Sequence, residues 1–140
     1  MMSALFNQAR TMLYLLSYAV LLLAAQSVSA AAGDSYSSKN GRFRVSYQSQ
    51  LNPVVINQIH AWQLHVTDAD GRPVTGADIA VKGGMPAHNH GLATSPAIEP
   101  GDDGDYLLRG LRFHMMGYWE LKLTIDDDGV RDEVVIPLTL

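Results

Sequence analysis

From Phe43 onward, apolar and polar residues alternate with a period of two, the mark of strands buried on one face. Phe43, Val45 and Tyr47 alternate with polar neighbours. His60, Trp62, Leu64 and Val66 fall on one face of the next segment, and Gln63, His65 and Thr67 on the other. Asp68-Ala69-Asp70-Gly71-Arg72-Pro73 is turn-forming sequence. Beyond it Ile79 and Val81 predict a third strand, and Tyr106 and Leu108 begin another that runs towards Leu111 and Phe113. Trp119, Leu121, Leu123 and Ile125 form the clearest inward face, and Asp126 to Gly129 turns it into a last strand with Val134, Ile136 and Leu138. No stretch here keeps a 3.6-residue period over three turns. About seven strands with turns between them predict an all-β, immunoglobulin-like β-sandwich, with Trp62 and Trp119 packed between its sheets.

The first residues follow another pattern. Arg10 is the only charge before Asp34, and an apolar run from Met12 to Ala25 follows it. Val28-Ser29-Ala30 then has the small-x-small form of a signal-peptidase site. The run is short of the roughly 20 apolar residues that a membrane span needs. Residues 1–30 are therefore expected to be an N-terminal hydrophobic helix acting as a cleaved signal peptide, with an uncleaved anchor as the alternative. Either one delivers the domain to an extracytoplasmic, periplasmic location, free or held at the inner membrane. Residues 31–41 are small and polar and predict a flexible linker. The folded domain is expected over residues 42–140.

Composition narrows the chemistry. The 140 residues include no cysteine, which excludes a disulfide framework, a thiol nucleophile and thiolate metal sites. The formal charge is -4 and no basic stripe occurs, so nucleic acid is not an expected partner. The acids gather in runs such as Asp102-Asp103-Gly104-Asp105 and Asp126-Asp127-Asp128-Gly129, which read as solvated turns rather than calcium loops. No nucleophile elbow, phosphate-binding glycine loop or His-Glu-x-x-His sequence is present. A non-enzyme is expected.

Two places break the alternation. Residues 83–96 (Gly83-Gly84-Met85-Pro86-Ala87-His88-Asn89-His90-Gly91-Leu92-Ala93-Thr94-Ser95-Pro96) are too rich in Gly and Pro for a central strand and predict a long ordered loop, the usual seat of function on a rigid scaffold. The second place is His114-Met115-Met116-Gly117. Both combine imidazole with thioether. Thioether favours Cu(I) and imidazole accepts either copper state, so Met85, His88, His90, His114, Met115 and Met116 are candidate copper ligands. In an extended segment His88 and His90 point to the same side. The competing reading is structural: the histidines cap loop backbone and the methionines plug the end of the sandwich. His60 and His65 read as structural or surface residues.

Several blocks together resemble the YtkA-like/FixH-like family. They are Ile56-Asn57-Gln58-Ile59-His60-Ala61-Trp62, Asp70-Gly71-Arg72-Pro73-Val74, the Gly83-Gly84-Met85-Pro86 and His88-Asn89-His90-Gly91-Leu92 pieces, and the stretch from Tyr106 onward to Phe113-His114-Met115-Met116-Gly117-Tyr118-Trp119-Glu120-Leu121. The resemblance covers about residues 42–140. It implies a small extracytoplasmic immunoglobulin-like domain behind a signal or a single span. The FixH branch is associated with a copper-transporting pump and with haem-copper oxidase assembly. The resemblance thus implies copper handling beside a membrane transport or oxidase-assembly complex. A metal-free accessory or interaction module of an envelope or membrane complex is the alternative. The cleavable look of the leader departs from the anchored FixH branch.

Overall fold

A computed structural model describes residues 34–140. The hydrophobic helix expected over residues 1–30, and with it the choice between signal peptide and anchor, lies outside the described residues. Nine strands follow in order: β1 Ser35–Ser37, β2 Phe43–Ser49, β3 His60–Asp68, β4 Asp78–Met85, β5 His90–Gly91, β6 Ala97–Pro100, β7 Asp105–Leu111, β8 Tyr118–Asp127 and β9 Val130–Thr139. They form a five-stranded sheet ordered β1-β2-β3-β7-β6 and a four-stranded sheet ordered β5-β4-β8-β9. Every pairing is antiparallel. The described residues are all-β, an immunoglobulin-like sandwich.

The alternation in the sequence is what closes the two sheets on each other. Trp62, Leu64 and Val66 of β3 are fully buried, as are Trp119, Leu121, Leu123 and Ile125 of β8. Burying side chains of this size contributes about 1.5–3 kcal/mol each, which lets a cysteine-free domain hold its core. Aromatic contacts thicken one end of that core: Tyr47 stacks on Trp62 at 4.0 Å, and Phe113 meets Trp119 edge-on at 5.3 Å. Tyr106 is buried too, and its hydroxyl donates to the Val74 carbonyl (2.9 Å) and accepts from the Ala77 amide (3.0 Å). That pair of bonds ties the crossing between the sheets to β7.

Two segments differ from the sequence-based expectation. Part of the expected linker is a strand: Ser35–Ser37 pairs with β2, with Tyr36 opposite Val45. The turn after it is pinned to the other sheet, because the Asn40 amide donates to the Asp132 carboxylate at 2.9 Å. The expected long loop at residues 83–96 is also partly sheet. Gly83, Gly84 and Met85 complete β4, with Gly83 opposite Leu121 and Gly84 opposite Glu120. Glycine is tolerated in this strand because another backbone lies against it: a Cβ on Gly84 would stand 2.8 Å from the His90 carbonyl oxygen.

Strand direction sorts the turns between two ends. Residues 50–59, 86–89 and 112–117 lie at one end. Residues 38–42, 69–77, 101–104 and 128–129 lie at the other.

Candidate functional site

The first donor segment is the β4–β5 hairpin. Met85 pairs with His90, and residues 86–89 make the turn between them. The His88 amide donates to the Met85 carbonyl at 3.0 Å, and Asn89 takes a left-handed φ of 53°. Asn tolerates that conformation better than most residues, since its short polar side chain bonds locally. The His88-Asn89-His90 stretch is therefore a tight turn and not the extended segment expected from sequence. The turn nonetheless keeps the two imidazoles together, with ring centroids 6.3 Å apart.

The second segment, residues 112–117, is held from three directions. The buried Phe113 accepts at its carbonyl from the Asn57 amide (2.7 Å). The Trp119 indole N–H donates to the Met115 carbonyl (3.0 Å). Gly117 exchanges backbone hydrogen bonds with Leu140 at 2.9 and 3.0 Å. Gly117 has φ +125°, and a Cβ there would lie 2.9 Å from the Met85 methyl carbon. The Met85 tip therefore rests on Gly117, and the two donor segments meet.

The histidines meet as well. The His114 ring lies 6.1 Å from His90, perpendicular to it, and packs edge-on to Trp119 at 5.4 Å. His88 and His90 are exposed and His114 is half-buried. Its Nδ1 is buried without a hydrogen-bond partner. An orphaned buried nitrogen costs about 1–3 kcal/mol unless something takes it up. Metal–imidazole bonds of about 2.0–2.1 Å put two ring centroids roughly 5–6 Å apart on a shared ion. Both ring pairs, at 6.3 and 6.1 Å, lie just beyond that range. Among the described residues no three His, Cys, Asp or Glu side chains are placed to hold one ion. A shared ion therefore needs a thioether, or rotation of the exposed rings.

The methionines divide. Met85 is 2% exposed and belongs to the core, with its tip at the junction of the two segments. Met115 is half-buried against the core. Met116 is 65% exposed and lines a separate groove of about 570 Å³ with Tyr36, Tyr47, Val54, Ile56 and Leu138. No histidine lines that groove. On the other side of the hairpin a cavity of about 340 Å³ is lined by His90, Asn89, Glu120, Lys82 and Lys122. Its one carboxylate, Glu120, pairs with Lys122 at 3.3 Å.

The sequence reading did not single out Glu120, nor the roles of Gly117 and Trp119. Trp119 fixes the loop that carries His114, and Gly117 admits Met85; the signal for both was the Met-Gly-x-Trp spacing. His60 and His65 stand apart from the donors. His60 is buried, with Nδ1 3.1 Å from the Gln58 carbonyl. His65 pairs with Asp105 at 2.7 Å on the outer face of the larger sheet.

A small sandwich with imidazole and thioether donors gathered at one end is thus the class the fold and site define. A family model, YtkA-like, matches residues 37–124, and the chain belongs to that family. The match includes both donor segments and ends within β8. Membership suggests an extracytoplasmic accessory domain. No curated protein and no solved structure matches the chain.

Proposed function

We propose that this protein is a non-catalytic, extracytoplasmic copper-binding or copper-delivering domain. Neighbouring imidazoles among His88, His90 and His114 would hold the metal with a thioether from Met85 or Met115, all three joining only after the exposed rings rotate. The observation that carries the reading is the run of three imidazoles across two chain segments, ending at a buried His114 nitrogen with no partner. The donor set fits copper: thioether is soft enough for Cu(I), imidazole serves both oxidation states, and no thiolate is needed. Exposure of His88 and His90 lets them take up or release an ion without opening the core. Met116 faces its own groove, so it serves a docking partner better than the ion. The receiving partner would be a membrane transport or oxidase-assembly complex.

Titration of the protein with Cu(I) and with Cu(II), beside a His88→Ala/His90→Ala variant, tests this. Binding at least tenfold weaker in the variant is expected. Equal binding by the two proteins overturns the proposal.

The second reading is a metal-free interaction module of the envelope. It is favoured by the exposed apolar residues Val55, Ile59, Met116 and Tyr118 at the donor end. It requires that added copper leave the melting temperature unchanged.

A further inference from the structure

The two ends of the sandwich differ sharply in charge. At the end away from the donors, residues 68–72, 101–105 and 126–129 carry eight aspartates, out of fourteen acidic side chains in the chain. At the donor end, residues 50–59, 86–89 and 112–117 contain no carboxylate side chain and one formal charge, Arg112. Apolar exposure runs the other way. Among the described residues five large hydrophobics are exposed, and four lie at the donor end: Val55 (47%), Ile59 (62%), Met116 (65%) and Tyr118 (47%). Exposed apolar residues scattered singly are ordinary, but four of the five at one end whose turns carry a single charge mark a contact surface.

The chain itself indicates what covers this end. Asp34, where the described residues begin, lines the same groove as Met116, Val54 and Ile56. The chain therefore enters the described domain beside its apolar end, and in the uncleaved form the apolar run from Met12 to Ala25 precedes Asp34 by eight residues of sequence, 26–33. We infer that the donor end seats on a lipid bilayer, with Val55, Ile59, Met116 and Tyr118 at the headgroup–acyl boundary. Three physical effects favour this seating. Apolar side chains gain free energy there by leaving water. The turns at this end carry no carboxylate to desolvate, whereas burying one is costly, and Asp34, the acid that borders the groove, is exposed. An anionic membrane surface repels the aspartate-rich end and so orients the domain. Arg112 is of the sign that meets lipid phosphate. The inference stands whether or not copper binds, because none of the four side chains is an imidazole. If the proposed copper site is also real, its rings open at the membrane surface.

The absence of cysteine allows single-site labelling. The full chain is placed in vesicles of phosphatidylethanolamine and phosphatidylglycerol that contain a doxyl-labelled lipid. An environment-sensitive fluorophore is attached in turn to Ile59→Cys, Met116→Cys, Asp70→Cys and Asp128→Cys. Quenching severalfold stronger at positions 59 and 116 than at 70 and 128 is expected. Equal or negligible quenching at all four overturns the inference, since a domain standing off the bilayer on its tether gives that result. As a second arm, Val55→Asp is added to Met116→Cys. Loss of quenching with an unchanged melting temperature is expected. Quenching that survives the added charge also overturns the seating.

Discussion

Asp132 gives the sharpest quantitative prediction about what holds the sandwich shut. It lies on β9 and is 5% exposed, yet it stays ionised. Its Oδ2 accepts from the Asn40 amide at 2.9 Å, and its Oδ1 accepts from the Asn40 side-chain amide and the Glu133 amide, each at 2.9 Å. Burial alone pushes the carboxyl upward. Hydrogen bonds from the Ser38 hydroxyl and from the amides of Glu133, Asn40 and Arg42 outweigh it and hold the group at about 2, below the ordinary 3.8. A folded-state value below the unfolded one means stability that is fully present above the unfolded value. It is lost as pH falls through the folded value, here from about pH 4 to about pH 2. The difference corresponds to about 2 kcal/mol at neutral pH. Asp132→Asn keeps the shape, removes the charge and turns an N–H₂ group toward backbone donors. At pH 7 it is expected to lose about 2–3 kcal/mol, a fall in melting temperature on the order of 10 °C. Urea unfolding of both proteins at pH 7 and at pH 2 checks this. The gap should shrink at pH 2, where the wild-type carboxyl is losing its charge. A gap that is the same at both pH values, or that grows in acid, refutes the reasoning.

Four other substitutions separate stability from metal binding. His114→Phe keeps the edge-on contact with Trp119 and removes the orphaned Nδ1, so stability by thermal melting should hold or rise by about 1 kcal/mol while copper affinity falls. Gly84→Ala sets a methyl 2.8 Å from the His90 carbonyl oxygen and should unpair β5; calorimetry should show a loss of about 1–3 kcal/mol and isothermal titration a weaker site. Gly117→Ala combines φ +125° with a 2.9 Å approach to the Met85 tip. It should cost about 1–3 kcal/mol in chemical denaturation. Tyr106→Phe strands the Val74 carbonyl and the Ala77 amide, which should lower stability by about 1–3 kcal/mol and leave copper binding unchanged.

The fold was legible wherever one face of a strand is buried and the other is wet. β3, β8 and β9 show that alternation in sequence, and their buried positions are the expected ones: Trp62, Leu64, Val66, Trp119, Leu121, Leu123, Ile125, Val134 and Ile136. The short strands were not legible, for two reasons. β1 has three residues, Ser-Tyr-Ser, whose composition matches a linker; only its pairing with Arg44–Ser46 makes it a strand. The end of β4 carries Gly83 and Gly84, which weaken a strand taken alone. Here β5 runs alongside so closely that a side chain at Gly84 would strike it. In both cases the information lies in a neighbouring strand rather than in the segment itself.

The donor cluster was legible as two segments, but their meeting was a matter of topology. Nothing in the spacing of His90 and His114 places their rings 6.1 Å apart. That follows because β4 ends, and β8 begins, at the same end of adjacent antiparallel strands. The same connection explains why the methionines part company. A residue that precedes a strand can turn either inward to the core or outward along the sheet end. Met115 turns inward, tied by its carbonyl to the Trp119 indole. Met116, one residue on, faces the groove beside β9. Neighbours in sequence thus serve opposite faces, and the pattern that made Met115-Met116 look like a pair of ligands separates them. The separation leaves one thioether packed against the core and puts the other on the exposed apolar end. One short loop thereby links the proposed metal chemistry to the proposed membrane contact.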